Sequence, residues 1–149
     1  MKKTLRLIFI FAFTALIIFA AGEYAICAIF YSMEGQGFIE HQLLMFSAYT
    51  GDMFIALGLF LLLAFVNKRS DWFLDKWERQ DIVIHLLYST LLAFYFEAHA
   101  LYNGRWGYNE AMPLVFGTSI GLIPVLFLII LIPLIFYLTK RIYKNIILI

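Results

Sequence analysis

Glu23, Asp52, Glu97 and His99 are the residues of this chain best placed to do chemistry, because each interrupts a long apolar run. An ionisable side chain in hydrocarbon costs at least about 2.5 kcal/mol, so it turns inward and meets a partner, a proton or a ligand. Carboxyls buried in this way suit acid/base work, which makes Glu97 and Asp52 the candidate proton carriers. On a helix, His41 and Asp52 fall within about 20° of one another, with Met45 and Tyr49 on the same stripe. The step from Glu97 to His99 turns about 200°, so a regular helix aims only one of them inward, and the expectation is Glu97. Arg105 stands alone as a base on a side that carries Glu34, Glu40 and Glu110. Its guanidinium can clamp a carboxylate of the bundle or a lipid phosphate bidentately, and the expected tie is to Glu97, Glu110 or Glu23. The candidate ligand-binding set is therefore Glu23, His41, Tyr49, Asp52, Glu97, Arg105 and Tyr108.

Other chemistries find less support. A metal would need His41, Asp52, Glu97 and His99 to converge, and no HxxxH, HxxE or CxxC spacing is present, so neither a metal nor a cofactor is expected. Ser47, Thr50, Ser89 and Thr90 lie in no nucleophile elbow, and hydroxyls in apolar helices usually bond back to their own backbone. The single cysteine, Cys27, excludes an intrachain disulfide. A net charge of +1 without a separate basic patch gives no reason to expect nucleic acid.

The elements that must position these residues are membrane helices. The 149 residues are 64% hydrophobic and 14% charged, with a mean hydropathy of +0.89, too little polar surface to cover a domain in water. Uninterrupted apolar runs argue against a β-barrel, whose strands alternate. A hydrocarbon core of about 30 Å takes about 20 residues of helix. Residues 7–30, 43–66, 82–101 and 114–138 meet that length and define a single all-α domain, a bundle of four transmembrane helices. All but one of the eleven basic residues flank these spans on one side, which predicts cytoplasmic N and C termini and an outward Arg105 loop. The opening Met1-Lys-Lys and the later Phe19-Ala-Ala-Gly22 mimic a secretory signal and its cleavage site. The apolar run nevertheless continues to Phe30, and the expectation is a retained span. Glu23, Asp52, Glu97 and His99 all fall in the outer half; the inner half offers only His85, with Tyr88 and Ser89 nearby. That pattern is a cup open outward and not a channel.

Local signals fill in the packing. Gly117 and Gly121 predict a close helix contact in the fourth span, with Pro113 in its first turn and Pro124 and Pro133 each removing a helix hydrogen bond. In the 67–81 connection, Trp72, Phe73 and Trp77 can form an aromatic stripe at the headgroup boundary or a simple anchor. The run Gly104-Arg105-Trp106-Gly107-Tyr108 through Met112-Pro113, with Glu97 seven residues before it and Gly117 to Pro124 after, resembles a pattern of small bacterial inner-membrane proteins. The resemblance covers the last third of the chain and implies no activity. The reading that follows is a non-enzymatic bundle binding a lipid, an amphiphile or a membrane partner at an outward-facing polar site. An acid/base enzyme on a lipid or isoprenoid, and a purely structural polar cluster in an accessory subunit, are the alternatives.

Overall fold

The structure is a computed structural model that describes residues 2–32 and 35–147; Glu34 lies outside the described residues. Four helices carry the chain: α1 (Lys2–Phe30), α2 (Phe38–Val66), α3 (Arg79–Tyr102) and α4 (Leu122–Ile147). Each is long and apolar enough to cross a membrane. Two-residue strands β1 (Tyr31–Ser32) and β2 (Gly107–Tyr108) pair antiparallel, Tyr31 opposite Tyr108 and Ser32 opposite Gly107. α2 and α3 start before the predicted spans because their first turns bring their own polar partners. The Gly37 N–H at the start of α2 donates to Glu40 Oε2 at 3.1 Å, and the Glu78 N–H at the start of α3 donates to Asp81 Oδ2 at 2.9 Å. Asn67 Nδ2 then donates to Asp81 Oδ1 at 2.8 Å, tying the end of α2 to the start of α3.

α1 packs closely on α2 and α4, and α4 on α3, whereas α2 and α3 touch only sparsely. Phe9, Phe13, Phe46, Phe54, Leu91 and Ile130 face outward, as a bundle solvated by lipid requires. One half of the core is an aromatic knot: the Phe11 and Phe136 ring centroids are 4.6 Å apart, Phe11 and Phe60 5.1 Å, and Trp72 and Phe136 5.2 Å. Trp72 and Phe73 belong to a single 3-10 turn, Trp72–Leu74, and are 3% and 2% exposed. Both readings of this stretch, headgroup stripe or simple anchor, are therefore corrected for Trp72 and Phe73. These rings close the end of the bundle, where burial against other rings gains more than contact with headgroups.

That end gathers the polar ties. Lys3 Nζ meets Asp71 Oδ2 at 2.7 Å, Arg69 pairs with Asp75, and Lys140 Nζ donates to the Asp75 carbonyl at 3.1 Å. The first turn of α1 and the later part of α4 thus lie with the α2–α3 connection, at what we term the basic end.

The fourth span begins eight residues later than hydropathy predicts. Residues 114–121 form a tight reversal, with Val115 N–H to Ile120 O at 2.8 Å and Leu122 N–H to Pro113 O at 2.7 Å. Gly117 has φ +73°, a left-handed conformation that ends any helical continuation. Gly117 is exposed and meets no helix, so the predicted glycine face is absent; Gly121 is buried instead against Met112 and Tyr108 of its own loop. Pro113 precedes the helix, and Pro124 sits in its first turn, where no intrahelical bond is lost. Only Pro133 removes a bond from the helix interior.

Candidate functional site

At the end opposite the basic one, the chain folds back over its own helices. Gly104, at φ +62°, reverses the chain after α3, and Arg105 N–H returns to the Ala100 carbonyl at 2.9 Å. The ribbon of β1 and β2 is anchored to the end of α1 by Asn109, whose N–H donates to Phe30 O at 3.1 Å and whose Nδ2 donates to Ile29 O at 2.8 Å. Tyr31, Trp106 and Tyr108 therefore stand directly over Glu97.

Glu97, 7% exposed, accepts three hydrogen bonds. Tyr31 Oη donates to Oε1 at 3.3 Å, Trp106 Nε1 to Oε2 at 3.4 Å, and Tyr108 Oη also to Oε2. Tyr108 Oη in turn accepts the Gly121 N–H at 3.0 Å. Burial, and after it the Glu97 carboxyl, hold the Tyr31 phenol above its usual range. Burial and the bond to Glu97 raise Tyr108 likewise, so both phenols stay protonated as donors. His99 points away, exposed and stacked on Tyr95 with centroids 6.3 Å apart.

Below this cap Glu23 of α1, Asp52 of α2 and Glu97 of α3 line adjoining cavities. The larger measures about 140 Å³ and lies between α2 and α3, with Ser47, Gly51, Ile55 and Phe96 in its walls and Arg105 and Trp106 above. Glu23 and Asp52 lie within hydrogen-bonding range of one another, and among the described residues neither receives a bond from any other side chain. Asp52 lines both of these cavities. Two carboxyls side by side in a low-dielectric wall repel unless a proton or another cation stands between them.

Arg105 corrects an expectation. No carboxylate pairs with it among the described residues; Nη2 donates to Ser47 Oγ at 2.6 Å, and the guanidinium lies 5.1 Å from the centre of the Trp106 ring. Glu97 already has three donors, and the Gly104 turn sends Arg105 across the opening toward α2. His41 and Tyr49 also fall outside the cavity. A shared helical face ignores height, and His41 lies about 16 Å along α2 from Asp52. His41 lines a separate surface groove with Tyr24, Cys27 and Tyr31. Tyr49 packs edge-on against Phe46, centroids 5.5 Å apart, and joins the apolar core.

Sequence reasoning missed Tyr31, Ser47, Gly51 and the indole of Trp106. Trp106 and Tyr108 carried an aromatic-anchor signal, but nothing local links Tyr31 to a residue 66 positions away. In the other half of the bundle, His85 is closed off: Nε2 meets Ile129 O and Nδ1 meets Ser89 Oγ, both at 3.0 Å. Among the described residues, no group of three or more His, Cys, Asp or Glu side chains is arranged to hold a metal ion.

No protein-family model, curated protein or solved structure matches the chain. Fold and site define its class: an integral membrane protein, a four-helix bundle with a carboxyl-lined cavity under an aromatic and arginine cap.

Proposed function

We propose that the chain is a binding bundle for an amphiphile of the bilayer, whose polar end enters the cavity between α2 and α3. One observation carries this reading: a space of about 140 Å³, walled by carboxyls from three helices and roofed by Arg105, lies between two membrane helices that touch only sparsely. The exposed ring of Phe96 forms part of its wall and gives that wall an apolar edge for acyl chains. Concave sites with apolar walls and a few convergent polar groups are the usual form of a small-molecule pocket. The basic end faces the cytoplasm of a bacterial inner membrane and the cap faces outward, a reading supported by the segregation of basic residues. Reporter fusions after Ile147 and within residues 104–109 should lie on opposite sides, and a C terminus found outside would overturn that orientation.

The test of binding is to fill the cavity. Gly51 has open space where a side chain would begin, so Gly51→Leu should fold and melt like the wild type. Mass spectrometry of the purified protein should then find the wild type carrying lipid or another amphiphile and Gly51→Leu stripped of it. Identical retention by the two would refute the reading.

A second reading, acid/base catalysis on such a ligand, is favoured by the Glu23–Asp52 pair facing the cavity. Glu97 is committed to its three donors, so Asp52 is the proton carrier of that reading. Deuterium uptake from D₂O into a retained amphiphile, lost in Asp52→Asn, would support it; no uptake would exclude it.

A further inference from the structure

The order of charges along the cavity names a ligand class. Resting on the amphiphile-binding reading above, we propose that the cavity takes an aminophospholipid headgroup, its ammonium against Glu23 and Asp52 and its phosphate on Arg105.

Size sets the first limit. A cavity of about 150 Å³ accommodates benzene, so the 140 Å³ here takes a compact polar headgroup and leaves acyl chains outside. Position sets the second. Ser47, which holds Arg105, lies about 7.5 Å along α2 from Asp52. Two charge-assisted hydrogen bonds of about 2.8 Å and a short linker between cation and phosphate span that distance. Gly51 stands one turn from Ser47 on the same face, and a Cβ there would touch nothing, so the path between the two poles is clear.

Chemistry sets the third limit. A guanidinium has five N–H donors, and among the described residues Arg105 spends one, on Ser47. Phosphate takes two such donors as a fork. At the other pole Glu23 and Asp52 have only each other and gain from a cation between them. A purely anionic lipid would meet the carboxyls with the wrong sign; a simple alkylamine would leave Arg105 without an anion. Only a ligand carrying both charges in this order answers both poles. Its chains leave through the sparse α2–α3 contact past Phe96.

The experiment uses the purified full chain in detergent and three probes of matched chain length: a phosphatidylethanolamine, a phosphatidylglycerol and an alkylamine. Hydrogen bonds to charged groups translate into an expected preference of about tenfold or more for phosphatidylethanolamine over phosphatidylglycerol. Asp52→Asn should abolish that preference, and Arg105→Ala should weaken phosphatidylethanolamine while leaving the alkylamine unchanged. If Asp52→Asn does not fold, Glu23→Gln tests the same pole. Phosphatidylglycerol binding as tightly as phosphatidylethanolamine, or a preference untouched by the carboxyl variants, overturns the aminophospholipid. If Gly51→Leu still blocks all binding in that case, the amphiphile reading stands and only the headgroup assignment falls. A Gly51→Leu protein that melts like the wild type and binds every probe equally well overturns both.

Discussion

Replacing Tyr108 by phenylalanine deletes one oxygen that serves two groups. That oxygen donates to Glu97 and accepts the Gly121 N–H at 3.0 Å. Glu97 would keep Tyr31 and Trp106, so the loss on that side is one hydrogen bond of about 1 kcal/mol. Gly121 is buried, and stranding its N–H adds about 1–3 kcal/mol. The total is about 2–4 kcal/mol, which for a chain of this size lowers the melting temperature by about 4–16 °C. Tyr31→Phe supplies the internal control: among the described residues its longer bond to Glu97 is its only side-chain bond, and its loss should cost about 1 kcal/mol or less. Thermal unfolding of both variants in one detergent gives the comparison. In a Glu97→Gln background the Tyr108→Phe cost should fall, because the two residues share a contact. A Tyr108→Phe protein melting with the wild type, or one less affected than Tyr31→Phe, would refute the claim that the ribbon holds Glu97 through Tyr108.

Three further outcomes are expected. Arg105→Ala should change stability by no more than about 1 kcal/mol, since among the described residues its one side-chain bond goes to an exposed serine, and a large drop in melting temperature would point to a carboxylate partner. Gly22→Ala should destabilise by about 1–3 kcal/mol, because its methyl would meet Phe127 Cζ at 2.7 Å and Leu131 Cδ1 at 3.2 Å; Gly51→Ala should be neutral or slightly stabilising, and equal effects at the two sites would contradict the packing. The Lys3 ammonium holds the Asp71 carboxyl below its usual range. Its stabilisation is complete above about pH 4 and is lost as pH falls through the lowered folded value, so wild type and Asp71→Asn should converge in melting temperature in acid.

Hydropathy reads transfer into hydrocarbon, which is why the first three spans were legible to within a few turns. It does not read backbone hydrogen bonding. Residues 114–121 are as apolar as a helix, yet the hairpin bonds and the left-handed Gly117 give them another conformation. Helical phase separated Glu97 from His99, a local relation within one element. Phase could not decide what Arg105 reaches, because that depends on the Gly104 turn and on donors arriving from Tyr31, far away in sequence. For the same reason His41 shared a face with Asp52 and still missed the cavity: angle around a helix is periodic, and height along it is not. Trp72 and Phe73 were ambiguous because an aromatic ring suits both a headgroup boundary and a core.

The pairing of β1 with β2 joins the end of α1 to the approach to α4. Mechanically the molecule is a book. The packed α1 and α4 are its spine, sewn at the top by the ribbon, and α2 and α3 are the free edges of its covers. The Asn67–Asp81 bond fastens those edges at the bottom corner, beside the aromatic knot, and at the top corner the corresponding tie is the bond from Arg105, just past α3, to the exposed Ser47. That upper tie is a single exposed hydrogen bond, so compliance concentrates at the upper fore-edge, around Ser47 and Phe96, where the covers part by releasing it and without strain on the spine. Amide exchange should map that gradient, slowest along the middle of α1 and α4 and fastest in α2 near Gly51.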